Sequence, residues 1–389
     1  MAHHRHQASL EGVLNFSRPH PLPADQRAHA RQTFYTIINH CRDAELAAPP
    51  SPRQSRPTTY SRPLLVRYTY EYARSELSQD TFLAAFSASM DLDLAGDAPP
   101  DLERQGDQLG EKVASFAEFL MDNFFIPLKA TGLRTAQPSP AHLSAIQRVQ
   151  GNQHEYLPSP DRISVLRGTC LTRDHYRCVV SRLFDQNEAM ARFKQQGDNA
   201  QDDEGNPLAE QSFAYLEVAH IIPHSLTKPE ADGQLSDGKK AALAVLNMFD
   251  YDIVHLIDGA NIDRPFNAMS LSQHLHTDFG RFSIFFDPIP GQEDTYRIDK
   301  FLPPALLPTI PVTRTLYLAD NGSIDPPSSR LLAIHRAIAH ILHLSGAGDY
   351  IDKILRDIEE LGVQEGGETE LGRIVALRLG GWLDGAVSV

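Results

Sequence analysis

Residues able to perform acid–base or metal chemistry are concentrated in three short segments, at residues 173–181, 217–224 and 267–276. The first segment is rich in arginine, the second holds a glutamate and two histidines, and the third holds an asparagine and two histidines. The chain has no internal repeat that would place such segments at regular intervals. Only a folded domain that joins distant parts of the chain can therefore unite them in one site.

The spacing within these segments nominates particular residues. His220 precedes Ile-Ile-Pro at the end of a predicted strand, and Asn267 is followed by Leu271 after four residues and by His276 after nine. A histidine is suited to accept a proton from water near neutral pH, and a neutral imidazole is a common ligand of divalent cations. Alone, His220 could equally end a buried strand with its ring bonded to a backbone carbonyl, so both interpretations stay open at this point.

Together these residues resemble the HNH endonucleases, most closely the fungal group of HNH-domain proteins, from about residue 60 to the C-terminus. The resemblance implies a ββα-metal core, in which a strand hairpin is followed by a helix. It implies that His220 is the general base, that His276 binds the metal, and that Asn267 caps the helix and orients the hairpin loop. It also implies a divalent cation, Mg²⁺, Mn²⁺ or Zn²⁺, which would neutralise charge on the reacting phosphate and stabilise the leaving 3′ oxygen.

Two positions depart from the family pattern. Many members carry an Asp or His directly before the base, where this chain has Ala219, and a second metal ligand four residues after the helix histidine, where it has Gly280. One imidazole cannot hold Mg²⁺ or Mn²⁺ without help. The metal ligands expected from the resemblance are therefore His276 with Glu217 and Asp278, and His274 and His224 are further candidates.

The cysteine content predicts no structural zinc knuckle. Some family members hold zinc with two cysteine pairs, but of those positions only Cys178 is a cysteine here, beside Ser181, Ser272 and Leu275. Three cysteines in the whole chain are also too few for a disulfide framework.

Charge is distributed unevenly and limits how the chain can contact DNA. The net charge is −14, from 36 Lys+Arg and 50 Asp+Glu, which argues against a non-specific DNA-coating protein. Residues 162–182 nevertheless hold five arginines and one acid, Asp174, whereas residues 185–210 hold seven acids and two bases. Any DNA contact is therefore expected through a local basic face, with Arg173, Arg177 and His224 as the substrate-binding residues.

Hydrophobic periodicity and breaker residues predict the order of elements. Helices are expected at 25–40, in two or three amphipathic stretches within 61–130, and at 159–174, 239–249, 268–279, 328–344 and 350–361; strands are expected at 176–181, 215–222 and 283–286, and a proline-rich loop at 302–327. His335, His340 and His343 fall on the late helix, where packing is the favoured role because no carboxylate joins them at helical spacing.

The fold class expected from these elements is α+β, with a small ββα-metal core flanked by mainly helical segments. We divide the chain into a Pro/His-rich leader with one helix (1–60), a helical region (61–158), an HNH-like core (159–290) with an acidic insertion (185–210), and a C-terminal helical region (291–389).

The function expected from the resemblance is a metal-dependent endonuclease that hydrolyses phosphodiester bonds of DNA. Two alternatives remain open: a binding protein that kept the fold but lost the metal, and an enzyme that uses His220 for acid–base chemistry on a small molecule. The N-terminus lacks the apolar core of a secretory signal, and no apolar run approaches the roughly 18 residues of a membrane-spanning helix. An intracellular protein, nuclear or cytoplasmic and without a membrane partner, is therefore expected; the oligomeric state cannot be read from the sequence.

Overall fold

The computed structural model describes residues 21–48, 60–94, 100–132, 137–140, 159–228, 234–318 and 323–359, together with the single residues 373, 377 and 382. The first 20 residues of the predicted leader, the proline-rich stretch after residue 48, most of 133–158 and most of the C-terminal segment lie outside the described residues.

Helices outnumber strands in the described parts of the chain. The helices are α1 (Ala24–Ala47), α2 (Arg62–Glu71), α3 (Glu76–Ser89), α4 (Leu102–Leu120), α5 (Ile126–Thr131), α6 (Ser159–Arg173), α7 (Gln186–Gln196), α8 (Asp237–Phe249), α9 (Ile253–Ile257), α10 (Gln273–Gly280), α11 (Ser329–Ser345) and α12 (Ala347–Glu359). The strands are β1 (Phe184–Asp185), β2 (Phe213–Ala214), β3 (Leu216–His220), β4 (Ala268–Ser272), β5 (Ile284–Pro288), β6 (Thr295–Lys300) and β7 (Val312–Thr315). The predicted α+β class is confirmed.

The described residues form two compact units, and each unit is assembled from separated parts of the sequence. The first unit takes residues from 21–130, 234–255 and 340–382, and the second takes residues from 131–228 and 256–339. The second unit contains every strand and all three segments that the sequence nominates for chemistry.

Aromatic packing holds the first unit together. Phe34 on α1 lies at the centre of a cluster, with its ring centroid 5.7 Å from that of Phe82 and 5.0 Å from that of Phe86 on α3. Phe116 on α4 packs edge-on against both α3 rings, at 5.7 and 5.8 Å. These four side chains are almost completely buried. Such rings supply large apolar areas, and edge-on contacts add to the stabilisation from burial.

The second unit is built around the antiparallel pair of β3 and β4. Leu216 pairs with Ser272 and His220 pairs with Ala268, so the first residue of one strand faces the last residue of the other. Helix α10 begins directly after β4, and α6 packs against both strands. A second antiparallel sheet follows in the order β5-β6-β7.

Two element predictions in this region are wrong. Residues 178–181 form a turn instead of a strand, in which Arg182 N–H donates to the carbonyl of Cys178. Residues 268–272 form β4 instead of the first turn of a helix, which begins only at Gln273. Ala, Met and Leu are good helix formers, but pairing with β3 outweighs that local preference. The expected proline-rich loop also contains the short strand β7.

A buried ion pair fixes β4 in position. Arg173, the last residue of α6, is 1% exposed, and its guanidinium contacts both carboxylate oxygens of Asp174, at 2.8 and 3.0 Å. The remaining N–H groups donate to the carbonyl oxygens of Pro265, Asp325 and Ala268. Asp174 in turn accepts the backbone N–H of Ser270 on β4 at 2.9 Å. The expectation that Arg173 contacts substrate is therefore wrong, because its guanidinium is enclosed and all of its donors are used.

His335 on α11 is buried between aromatic rings of the same unit. Its ring stacks on Phe279 at 3.8 Å and on Phe282 at 4.6 Å, and its Nε2–H donates to the carbonyl of Phe279 at 3.0 Å. Burial lowers the pKa of His335 to about 3. The ring is therefore neutral near pH 7 and serves packing, as the sequence predicted.

Within the described ranges, no helix has the length and apolarity needed to cross a lipid bilayer.

The first prediction concerns the ion pair of Arg173. Replacing Arg173 with Ala leaves the carboxylate of Asp174 buried without its counter-charge, and the free energy of unfolding should fall by about 3–5 kcal/mol. Urea titrations followed by circular dichroism measure this loss. Arg281→Ala, which removes an exposed arginine of the same unit, should change the value by no more than about 0.5 kcal/mol. A well-folded Arg173→Ala protein with only weaker DNA binding would restore the original assignment.

The second prediction uses the lowered pKa of His335. In the unfolded chain this histidine takes up a proton near pH 6.5, whereas in the folded protein it does so only near pH 3. Its contribution to stability is thus complete above pH 6.5 and declines as the pH falls from there toward 3. At pH 5 the loss should be about 2 kcal/mol. His335→Gln, which keeps an N–H donor but does not titrate, should lose correspondingly less stability between pH 7 and pH 5.

Candidate functional site

Strand β3 and helix α10 place the three residues that the sequence nominated most strongly. His220 is the last residue of β3, Asn267 lies immediately before β4, and His276 lies on α10. All three residues are at least 94% buried, at 6%, 0% and 4% exposure respectively. Because β4 pairs with β3 and leads directly into α10, residues far apart in the sequence are brought into one unit.

Asn267 does not cap the helix, as the sequence analysis expected. Its side-chain oxygen accepts the N–H of Ile222 at 2.9 Å, and its amide nitrogen donates to the carbonyls of Ile222 and Ile262 at 3.0 and 2.9 Å. The five residues of β4 separate Asn267 from the first residue of α10, so capping is geometrically excluded. Its orienting role is instead to tie the segment after β3 to the turn before Asp263.

Asp263 is the centre of the candidate site. Its Oδ1 lies 3.2 Å from His220 Nε2 and 2.7 Å from His224 Nδ1, and its Oδ2 accepts the Nε–H of Arg162 at 2.9 Å. The side chain of Asp263 is completely buried. Burial by itself would raise the pKa of this carboxyl group, but the hydrogen bonds from His220 and His224 outweigh that effect and hold the pKa far below its usual range. Asp263 is therefore a carboxylate and only accepts hydrogen bonds.

The contact with Asp263 determines which nitrogen of His220 carries the proton. Burial lowers the pKa of His220, against the opposing effect of the hydrogen bond to Asp263, so the neutral ring is favoured. A carboxylate acceptor requires the proton on Nε2, which leaves a lone pair on Nδ1. Nδ1 is buried and has no hydrogen-bond partner. Electrostatic interactions with His224 and His276 also lower this pKa, so both side chains lie within electrostatic reach of His220.

His276 on α10 is arranged in the same way, with Glu217 of β3 as its carboxylate partner. Its Nδ1 lies 2.7 Å from Oε2 of Glu217, and its Nε2 is buried without a partner. The Glu217 side chain is one-quarter exposed, so the pair lies near solvent. A carboxylate that accepts the Nδ1–H of an imidazole fixes the ring and leaves Nε2 available as a ligand. Glu217 therefore orients His276 and has one further oxygen that could contribute to the same site.

Asp278 is not brought to this position. Successive helical residues differ by about 100° in direction, so Asp278 points to the opposite face of α10 from His276. Burial raises the pKa of Asp278, and the nearest charges that lower it belong to His274 and Arg281 rather than to the candidate site. The positions that lack the family's usual ligands, Ala219 and Gly280, are both buried on β3 and α10.

The arginines of residues 162–182 are engaged inside the second unit. Arg177 donates to Asp202 and Gln211 at 2.6 Å each, and Arg167 donates to the carbonyls of Gln137, Pro138 and Leu216. Arg182 donates to the carbonyl of Thr315 and lies over the ring of Tyr317. The arginines that are clustered in the sequence thus make internal contacts. Residue types alone do not distinguish such arginines from those of a phosphate-binding surface.

The donor atoms fit a divalent cation at two places. Among the described residues, one group of three or more candidate ligands converges, and it consists of His220, His224 and Asp263, with ligand atoms within 4.8 Å of one another. The second place is the unpartnered Nε2 of His276, which the carboxylate of Glu217 supports from behind. His276 and Glu217 are among the expected ligands; Asp263 is a residue that the sequence analysis missed.

No local signal in the sequence distinguishes Asp263. It ends a short 3-10 helix, Gly259–Asp263, in a stretch that also contains Asp250, Asp252 and Asp258. The contacts of Asn267 with Ile262 and Ile222, together with the bond from Arg162, hold Asp263 next to the histidines. Its position depends on tertiary structure, which a spacing rule within one segment cannot capture.

Comparison with known proteins agrees with this geometry. Residues 178–287 match the model of the family HNH_2, described as HNH endonuclease, and the matched range includes Glu217, His220, Asp263, Asn267 and His276. Neither the search of curated proteins nor the search of solved structures returned a match. The fungal grouping suggested by the resemblance is not part of the match. The chain is therefore an HNH nuclease domain-containing protein, with the domain at residues 178–287.

Proposed function

We propose that the protein is a metal-dependent endonuclease that hydrolyses phosphodiester bonds of DNA, with His220 as general base and His276 as a metal ligand. One observation carries the proposal. Each of these two buried imidazoles is bonded to a carboxylate through one ring nitrogen, while its other ring nitrogen is buried and unpartnered. Leaving a buried polar atom unsatisfied costs free energy, so substrate, water or metal would complete these two nitrogens. Nδ1 of His335 is also buried and unpartnered, but its ring is bonded to a backbone carbonyl, so the carboxylate partner is what distinguishes His220 and His276.

The base in this proposal is Nδ1 of His220. It accepts a proton from the water that attacks phosphorus, while Nε2–H remains bonded to Asp263 at 3.2 Å. The carboxylate stabilises the imidazolium that forms and keeps the ring in one tautomer. Arg162, bonded to the other oxygen of Asp263, and Asn267, bonded to the neighbouring backbone, hold that carboxylate in place.

A bound divalent cation supplies charge neutralisation at the phosphate and stabilises the departing 3′ oxygen. His276 Nε2 would hold it, with Glu217 fixing the ring and the substrate phosphate filling further positions. Because Ala219 and Gly280 provide no ligand, affinity for Mg²⁺ or Mn²⁺ should be weak until substrate binds.

Contact with DNA requires positive groups at the surface, and the arginines of residues 162–182 are engaged in internal contacts. Arg264 directly follows Asp263 and is exposed, so it is the best-placed arginine for a phosphate near His220. The side chain of His224 is 21% exposed while its Nδ1 is held by Asp263, which leaves Nε2 as a second polar contact for substrate.

The third prediction tests the chemistry with supercoiled plasmid. Wild-type protein should nick it with Mg²⁺ or Mn²⁺ and not with a chelator. His220→Ala should lower the rate by about 10²–10⁴-fold without weakening DNA binding, because it removes the base and no phosphate contact. His220→Asn, which keeps an N–H for Asp263, should be equally inactive and should preserve folding. His276→Ala should abolish cleavage, and raising the metal concentration should not restore it.

The matched control is His255→Ala, since the His255 side chain is 80% exposed and lies in the first unit. It should cleave at the wild-type rate. Pure wild-type protein that binds DNA but does not cut it with any of the three metals would support a binding protein instead. Failure both to bind and to cut would leave small-molecule acid–base chemistry at His220 as the remaining alternative.

The fourth prediction tests the DNA contact assigned to Arg264. Arg264→Ala should weaken binding to duplexes of unrelated sequence alike, and should reduce the slope of log affinity against log salt by about one. Fluorescence anisotropy of labelled duplexes at several salt concentrations measures both quantities. Arg104→Ala, which removes an 87% exposed arginine of the first unit, should leave both unchanged. Equal slopes for all three proteins would show that the phosphate contact lies elsewhere.

A further inference from the structure

We propose that His220, His224 and Asp263 form a second cation site, separate from His276, which takes a transition metal ion of the Zn²⁺ type and inhibits the enzyme by capturing its general base. The existence of the site depends only on the geometry of these three side chains. Its inhibitory effect rests on the proposed function, in which Nδ1 of His220 is the base.

The donor atoms are already close to the arrangement that zinc requires. Tetrahedral zinc holds ligands at about 2.0–2.1 Å, which places neighbouring ligand atoms about 3.3 Å apart. Here Oδ1 of Asp263 lies 3.2 Å from His220 Nε2 and 2.7 Å from His224 Nδ1. All of these atoms lie within 4.8 Å of one another. The two distances from Oδ1 therefore lie within about 0.6 Å of the spacing that an ion requires.

Burial and access also suit a metal site. His220 and Asp263 are enclosed, with side chains 1% and 0% exposed, whereas the side chain of His224 is 21% exposed. An ion can therefore enter from the side of His224 and meet two fixed ligands behind it. Water would provide the fourth ligand from the same direction.

The ligand types select the metal. Two imidazoles and one carboxylate suit Zn²⁺, Cu²⁺, Ni²⁺ or Fe²⁺, whereas Mg²⁺ prefers a shell of oxygen atoms. Arg162 occupies Oδ2 of Asp263 at 2.9 Å, so it leaves Oδ1 free for one ion and fixes the direction of that oxygen. The cluster is thus expected to discriminate against the Mg²⁺ that supports cleavage in our proposal.

The inhibitory effect follows from the position of one proton. Without metal, His220 carries its single ring proton on Nε2, where Asp263 accepts it, and Nδ1 has the lone pair that activates water. A metal bound at Nε2 needs the lone pair there, so the same proton must move to Nδ1. The ring then donates at Nδ1 and cannot accept a proton from water. His224 must likewise present the lone pair of Nδ1, the nitrogen that lies 2.7 Å from Asp263, in order to bind the ion.

The binding experiment uses the full-length chain and Zn²⁺ alone. His3, His4 and His6 are first replaced with Ala, because the His-rich N-terminus could bind zinc by itself. Isothermal titration should then give one site per chain, which persists in His276→Ala and is lost in His224→Ala. His224→Asn, which keeps an N–H for Asp263 but lacks an imidazole, should lose the site while remaining folded.

Selective ¹⁵N labelling of histidine gives an independent readout. The His220 ring should change from the Nε2–H tautomer to the Nδ1–H tautomer when Zn²⁺ is added, and Mg²⁺ should not cause this change. Zinc binding that survives both His224 variants, or that disappears with His276→Ala, would overturn the site. These measurements do not depend on nuclease activity.

The inhibition experiment adds Zn²⁺ to plasmid nicking at a fixed, saturating Mg²⁺ concentration, with each variant normalised to its own rate without zinc. Zinc should inhibit the wild-type protein, and His224→Asn should raise the half-inhibitory concentration by about tenfold or more. Excess Mg²⁺ should not relieve the inhibition. Relief by Mg²⁺, or cleavage supported by Zn²⁺, would refute capture of the base. Absence of cleavage under all conditions would refute the proposed function, and the zinc site would then be tested by the titration alone.

Discussion

The geometry of the nuclease domain depends on one buried ion pair, between Arg173 and Asp174. The guanidinium binds its neighbour's carboxylate and three backbone carbonyls, and the carboxylate accepts the N–H of Ser270. These contacts attach the end of α6 to β4 at Ala268 and Ser270. Since β4 leads into α10 without a loop, they also set where His276 lies relative to β3. A buried ion pair often contributes little net stability compared with apolar packing, so its main contribution here is to specify one arrangement.

Carboxylate–imidazole pairing occurs twice in this core and has different consequences in the two places. Asp263 holds the proton-bearing nitrogen of His220, whereas Glu217 holds that of His276. Asp263 is enclosed and also bonds Arg162, while Glu217 is partly exposed. The enclosed carboxylate suits a base whose tautomer must not change, and the exposed pair suits a ligand that must meet an ion from solvent. In the pair of His220 and Asp263, Asn267 joins the two chain segments, because it bonds the backbone of Ile222 and of Ile262.

The sequence predicted His220, Asn267 and His276 because their spacing is set within short segments, and spacing is visible in a sequence. It also predicted the class of the fold, the late helices and the strand ending at His220. It misassigned residues 268–272, since pairing with β3 and not local preference makes them a strand. It could not find Asp263, whose role arises from contacts with residues more than 38 positions away, His220 and His224.

For the arginines, the sequence pattern predicted a role that the tertiary contacts do not support. Five positive charges within residues 162–182 suggested a surface for DNA, but their guanidinium groups bind carbonyls, carboxylates and aromatic rings of the second unit. An arginine with buried partners and an arginine facing solvent have the same letter in a sequence. Arg264 lies outside the arginine-rich stretch, so the sequence pattern did not predict it as a DNA contact, although it is exposed and directly follows Asp263.

The acidic insertion is also anchored, through Asp202. This buried carboxylate accepts hydrogen bonds from Arg177, Asn206 and Gln211, while Asp198, Asp203 and Glu204 around it stay exposed. Asp203 is paired with Arg192 at 2.6 Å, so Asp198 and Glu204 are the exposed acids that this anchored segment carries in fixed positions. Their charges repel an approaching polyanion before contact forms, over roughly the 8–10 Å that salt leaves unscreened. The anchored acidic segment therefore restricts the directions from which a polyanion can diffuse to the domain.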